Sequence, residues 1–175
     1  MNEDFQDMLA ALLASGARFL VVGAYALAVH GVLRATGALD VWVLPDPVNA
    51  ERVWEALGRF GAPGETLDAA PGDLARPGLV LQIGLPPRRI DILTELTGVD
   101  FESAWRSRVV HRVGSLEVPF LDQETLIRNK RATGRLRDLA DLERLEEEGS
   151  AVTHKSGLPS EPCQIRSQGY QWRGR

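Results

Sequence analysis

The chain has a single cysteine, Cys163, among 175 residues. That excludes an internal disulfide framework and a multi-cysteine zinc site. No apolar run approaches the roughly 20 residues that a membrane-spanning helix needs. The first residues, Met1-Asn2-Glu3-Asp4, lack the positive charge that opens a secretion signal, so a cytoplasmic location is expected. A surplus of basic charge is missing too. The formal net charge is -4, and the residues from 151 onward contribute +3, which leaves -7 on the body. An acidic body argues against broad, non-specific binding to nucleic acid, which rests on phosphate neutralisation, while leaving room for a local basic groove. What the chain does have is the 44% hydrophobic and 25% charged composition of a globular domain, and length enough for one core.

Residues 3–14 place Phe5, Met8, Leu9, Leu12 and Leu13 at helical spacing, and the stretch reads as an amphipathic helix ended by Ser15-Gly16. The apolar run 18–22 reads as a central strand, turned by Gly23-Ala24 into a second helix over 25–30. A second strand spans about 39–44. Asp46-Pro47 is a strong helix start, an N-cap followed by proline at the first helical position, and this helix stops near Gly61. Residues 61–78 read as a loop. Strands over 79–84 and 88–93 form an expected hairpin, followed by a short helix near 101–106 and a second strand pair across Gly114-Ser115. Asp122 caps a helix that Gly134 interrupts and that resumes over 136–148. Mixed helices, strands and hairpins indicate an α+β (mixed α/β) domain: a twisted mixed sheet of four to six strands flanked by helices, with a helical C-terminal segment. The domain is assigned to residues 1–149. Residues 150–175, rich in Ser, Gly, Gln, Pro and Arg, read as a disordered tail.

One more absence concerns chemistry. Side chains alternate along a strand, so Ala38, Asp40 and Trp42 share one face and Leu39, Val41 and Val43 the other. A carboxylate at both 38 and 40 would build half of a divalent-cation site, and position 38 holds alanine. Three features line up around it. An apolar strand ends at Gly23-Ala24 and opens a helix, where backbone N–H groups suit phosphate. Thirteen residues on, after Tyr25 to Gly37, comes the strand bearing Asp40. Asp91 lies on a later strand, its face opposite that of Ile90 and Ile92.

This order and spacing resemble the nucleotidyltransferase superfamily, the fold of DNA polymerase beta, and its small bacterial members in particular. The residues that carry the resemblance are Val21-Val22-Gly23-Ala24, Arg34-Ala35-Thr36, Leu39-Asp40-Val41-Trp42-Val43, and the late segments Asn129–Arg135 and Asp138–Leu142. The resemblance implies a minimal nucleotidyltransferase fold. It also implies transfer of a nucleoside monophosphate from a nucleoside triphosphate to a hydroxyl on a small molecule, a protein or an RNA end. Mg²⁺ or Mn²⁺ would be the cofactor, clamping the phosphates and activating the acceptor. On the same grounds Asp40 and Asp91 would be the metal-binding and catalytic acids, Gly23 and Ala24 would receive the β and γ phosphates, and Arg34 and Lys130 would contact phosphate.

Two positions depart from the family pattern. Ala24 stands for the usual Gly or Ser and removes a hydroxyl contact. Ala38 stands for the first acid, and losing one preorganised electrostatic group costs roughly 10² to 10³ in rate. A weakened enzyme is therefore one expectation. The other is a catalytically degenerate module that binds nucleotide or a small helical protein partner, as in toxin–antitoxin or abortive-infection pairs. Plainer roles stand beside these: Asp40 as a strand-end hydrogen-bond acceptor, Arg34 as a structural arginine, Lys130 on a solvated helix face, His30 as a helix-end or packing group, and Trp42 packed beneath a helix.

Overall fold

The computed structural model describes residues 1–62, 67 and 69–155, with backbone alone over 148–155. Its first helix, α1 (Glu3–Ala14), starts where Asn2 accepts a hydrogen bond from the Phe5 amide at 2.9 Å. It buries Phe5, Met8, Leu9 and Leu12. After β1 (Phe19–Val21) and α2 (Gly23–Val29) comes β2 (Ala38–Val43), and then α3 (Pro47–Phe60). The Asp46 side chain accepts from the Asn49 amide, and Gly61 closes α3 in the left-handed region at φ 88°, which glycine adopts without steric cost. A 3-10 turn (Pro71–Asp73) precedes β3 (Val80–Ile83) and β4 (Arg89–Leu93). The remaining elements are α4 (Phe101–Ser107), β5 (Val109–Val113), β6 (Leu116–Phe120), α5 (Gln123–Thr133) and α6 (Leu136–Lys155).

The six strands form one mixed sheet in the order β3-β4-β2-β1-β6-β5. The two hairpins, β3·β4 and β5·β6, pair antiparallel at its edges. The centre is built from β1 against β2, antiparallel, with β4 parallel to β2 and β6 parallel to β1. This is the mixed α+β architecture that the sequence pattern indicates. Residues Leu39, Val41 and Val43 of β2 are fully buried, joining Val53, Ala56 and Leu57 of α3 and the apolar stripe of α1 in the core. Burial of side chains this size contributes about 1.5–3 kcal/mol each, which is why β1 is apolar throughout and β2 and β4 are interrupted only by Asp40, Arg89 and Asp91.

One buried side chain locks the centre. Asn49, at the start of α3, accepts from the Arg18 amide at 2.7 Å and donates to the carbonyls of Arg18 and Leu44 at 3.0 and 2.9 Å. It therefore ties the entry of β1 to the exit of β2. Arg18 itself forks onto Glu102 at 2.7 and 2.8 Å and lies over the Trp105 ring, which docks α4.

The sequence reading ends the last helix at 148, whereas α6 runs on to Lys155. Residues 156–175, the larger part of the expected tail, lie outside the described residues. Among the described residues no helix is long and apolar enough to cross a membrane.

Candidate functional site

The two aspartates that lie far apart in the chain meet in the sheet. In the parallel pairing of β2 and β4, Asp40 sits opposite Asp91, and Ala38 sits opposite Arg89. Parallel neighbours point to the same face, and adjacent strands lie about 4.8 Å apart, so the two carboxylates are side by side. They open on a cavity of about 460 Å³, which Gly23, Arg34 and Lys130 also line. Helices α5 and α6 supply the opposite wall through Asn129, Thr133 and Asp138.

Gly23 borders this cavity because nothing larger fits. Its backbone is left-handed at φ 63°, and an ideal Cβ built there would overlap the Asp40 carboxylate. The turn from β1 into α2 therefore presses against the acid. Ala24 behaves differently. It is buried and does not line the cavity, so only the backbone of this turn can face a ligand. With seven residues, α2 is a short helix.

The electrostatics of the acidic pair are asymmetric. Arg89 Nη2 donates to Asp91 Oδ2 at 2.9 Å, while Asp91 Oδ1 is buried with no hydrogen-bond partner. Asp40 has no such guanidinium in contact. Its carboxyl is pushed up to about 6, first by burial and then by the charge of Asp91, against the pull of Arg34, Arg89 and Arg137. A buried acid with an orphaned oxygen beside a half-buried one is a donor set that suits a hard divalent cation. The two carboxylates would suit one Mg²⁺, and position 38 brings no further oxygen. Among the described residues no group of three or more His, Cys, Asp or Glu is placed to hold a metal.

Lys130 lies 4% exposed between α5 and α6, donating to Asp138 at 2.9 Å and to Asp141 at 2.7 Å. Asp141 Oδ2 also accepts from Arg34 Nη1 at 2.9 Å. Burial pushes the Asp138 carboxyl up, but hydrogen bonds from Lys130 and Thr133 outweigh it and hold the group below its ordinary range. Two cations and two carboxylates thus balance inside one network that ties α6 to α5 and to the loop before β2. The solvated helix face read for Lys130 does not hold, because the turn at Gly134 folds α6 back over α5 and covers it.

The plainer roles read for His30 and Trp42 are the ones seen. His30 Nε2 lies 2.8 Å from the Leu121 carbonyl, joining the end of α2 to the end of β6. Trp42 is buried, its ring edge-on to Phe101 at 4.9 Å, so it is not free to stack on a base.

Arg89, Arg137, Asp138 and Asp141 were not singled out from the sequence. For Arg89 a signal existed: it stands two residues before Asp91 on one strand, which places both on one face. Arg137 gave none, because its approach to the sheet depends on how α6 packs.

Two expectations follow. The folded carboxyl of Asp40 lies above its unfolded value, so its contribution to stability is full below about pH 4 and is lost as pH rises through about 6. A displacement of that size corresponds to roughly 3 kcal/mol. In EDTA, Asp40→Asn should raise the urea midpoint clearly at pH 8 and little at pH 4; an equal change at both would contradict the burial argument. Lys130→Met leaves buried Asp141 with Arg34 alone and buried Asp138 with the Thr133 hydroxyl alone, and should cost about 3–5 kcal/mol in urea unfolding. A near-native midpoint would return Lys130 to the ligand-binding candidates.

No family model matches the sequence, and no curated protein matches it. Among solved structures, the chain is similar to the crystal structure of a Thermotoga maritima protein that carries the provisional description of a nucleotidyltransferase. The two superpose with a TM-score of 0.50 over 88% of this chain and 91% of that one, at 13% sequence identity. At that identity the likeness is one of fold. The chain shares the fold of that structure.

Proposed function

We propose that this chain binds a nucleoside triphosphate over the Asp40–Asp91 pair and transfers the nucleoside monophosphate to a hydroxyl, at a rate held down by Ala38. One observation carries the reading: Asp40 and Asp91 are register partners on parallel strands, beside a glycine turn that admits no side chain, at the floor of one cavity. When bound there, Mg²⁺ would supply charge neutralisation of the phosphates and polarise the α-phosphorus. Asp40 and Asp91 would hold it.

The protein's own groups then have distinct tasks. The acceptor oxygen attacks the α-phosphorus, the bond to the bridging oxygen breaks and pyrophosphate leaves. In this reading the Asp91 carboxylate, whose Oδ1 has no hydrogen-bond partner, would take the acceptor proton. Arg89 holds the other oxygen of that carboxylate and so orients it. The Gly23 turn keeps the backbone close to the phosphates without a clash. Arg34 and Lys130 take part through the network that positions α5 and α6; both already spend hydrogen bonds on Asp138 and Asp141.

A second reading is supported by that same spending. The β2–β4 strand pair offers one acid fewer than a two-metal site uses, and three of the cations around it, Arg34, Arg89 and Lys130, are paired with the protein's own carboxylates. A protein that binds nucleotide without turning it over, as a regulatory module, fits those facts.

The two readings separate on Ala38→Asp. With Mg²⁺ or Mn²⁺, a labelled nucleoside triphosphate and a panel of hydroxyl acceptors, pyrophosphate release should rise by at least ~10²-fold in this variant. Asp40→Asn and Asp91→Asn should abolish the gain. No increase, together with metal-dependent nucleotide binding that Asp40→Asn weakens, would establish the binding module instead.

A further inference from the structure

The gap at position 38 is bordered by positive charge. A second cavity, of about 340 Å³, lies at the start of β2 beside the first. It is lined by Ala38, the loop from Arg34 to Gly37, Pro86, Arg89 and Arg137, and no acid is among its described lining residues. Its volume is within the range of small-molecule sites, about 300–1,000 Å³. The register explains why position 38 adds no acid to this wall: the cross-strand neighbour of residue 38 is Arg89, whose own partner is Asp91. An acid at 38 would stand against that guanidinium. Alanine leaves the position apolar.

The three arginines differ in what they have left to offer. Arg34 and Arg89 each commit one terminal nitrogen, to Asp141 and Asp91 respectively. Each guanidinium carries five N–H donors, so most remain. Arg89 Nε is buried with no hydrogen-bond partner. Arg137 forms no ion pair among the described residues. The Thr36 hydroxyl is taken, holding the backbone of Ala38 at both its amide and its carbonyl, which fixes the loop that carries Arg34. Three planar cations around a cavity without an acid form a recognition site for tetrahedral oxyanions, which guanidinium binds in fork geometry.

We infer that the Arg34–Arg89–Arg137 cavity beside Ala38 is a polyphosphate site that works without a metal ion, the arginines occupying the electrostatic role that a cation held by an acid at 38 would have. The inference deepens the nucleotide reading and rests on it for the source of the phosphates, the tail of a nucleoside triphosphate. It makes the alanine a change of binding mode: charge fixed on side chains replaces charge carried by an ion.

Isothermal titration with inorganic pyrophosphate in EDTA tests it. Wild-type protein should bind, and more weakly as salt rises. Arg137→Ala should weaken binding roughly tenfold or more, through the loss of charge-assisted hydrogen bonds, whereas Arg112→Ala, an equal charge change on the exposed strand β5, should not. Ala38→Asp should also abolish metal-free binding, because the new carboxylate takes Arg89, even where it raises metal-dependent turnover. ATP that displaces pyrophosphate identifies the nucleotide tail as the source; ATP that fails to do so leaves inorganic polyphosphate as the ligand. No binding in EDTA, or binding indifferent to both Arg137→Ala and Ala38→Asp, overturns the inference. If that happens while Mg²⁺-dependent ATP binding persists and weakens in Asp40→Asn, the nucleotide reading stands without it. Conversely, metal-free pyrophosphate binding with no metal-dependent nucleotide binding keeps the arginine site and removes the catalytic reading.

Discussion

The parallel pairing of β2 with β4 is the constraint on which everything at the cavity depends. A parallel pair needs a long crossover, here α3, the following loop and β3, so nothing local places Asp91 beside Asp40. The pairing is held from the other face, where Leu39, Val41, Ile90 and Ile92 are buried. A one-residue slip of either strand would turn its two apolar residues toward the cavity and its acid into the core. Apolar burial therefore enforces a like-charge contact that the acids themselves oppose. The carboxyl of Asp40 is raised first by burial and then by that neighbouring charge.

Around this pair the molecule keeps its charges in nearly closed accounts. Arg89 answers Asp91, Arg34 and Lys130 answer Asp141, and Lys130 with Thr133 answers Asp138. Buried ion pairs of this kind contribute little net stability compared with apolar replacements, but removing one member is costly. Their effect here is positional: they join α6 to the loop that enters β2. Two places escape the balance, the unpartnered Asp91 Oδ1 and the acid-free wall at Ala38. They lie on adjoining parts of one surface and have opposite sign, a cation's place next to an anion's.

Much of the architecture was legible from local signals. Asp46-Pro47 and Asp122 mark helix starts because an Asx side chain can accept an orphan amide, and both do so. Gly61 and Gly134 mark ends because each takes a left-handed backbone. Strand parity put Asp40 and Asp91 on the faces opposite their buried neighbours. The site was legible in part: Gly23, Asp40 and Asp91 stand together, while the burial of the Ala24 side chain and the ion pairs of Lys130 were not legible. Whether a small or a charged residue meets solvent depends on what packs over it, and periodicity within a single helix does not contain that information.

The amino-acid order alone determined the elements, the faces of the strands and the missing acid at 38, since these follow from backbone sterics, caps and the two-residue alternation of a strand. Only the tertiary structure decided the register that sets Asp40 against Asp91 and Ala38 against Arg89, and the return of α6 that brings Arg137 to the same wall. Those relations join residues across long stretches of chain. They are fixed by the burial of apolar surface on the far side of the sheet, a property of the whole packed core and of no single segment.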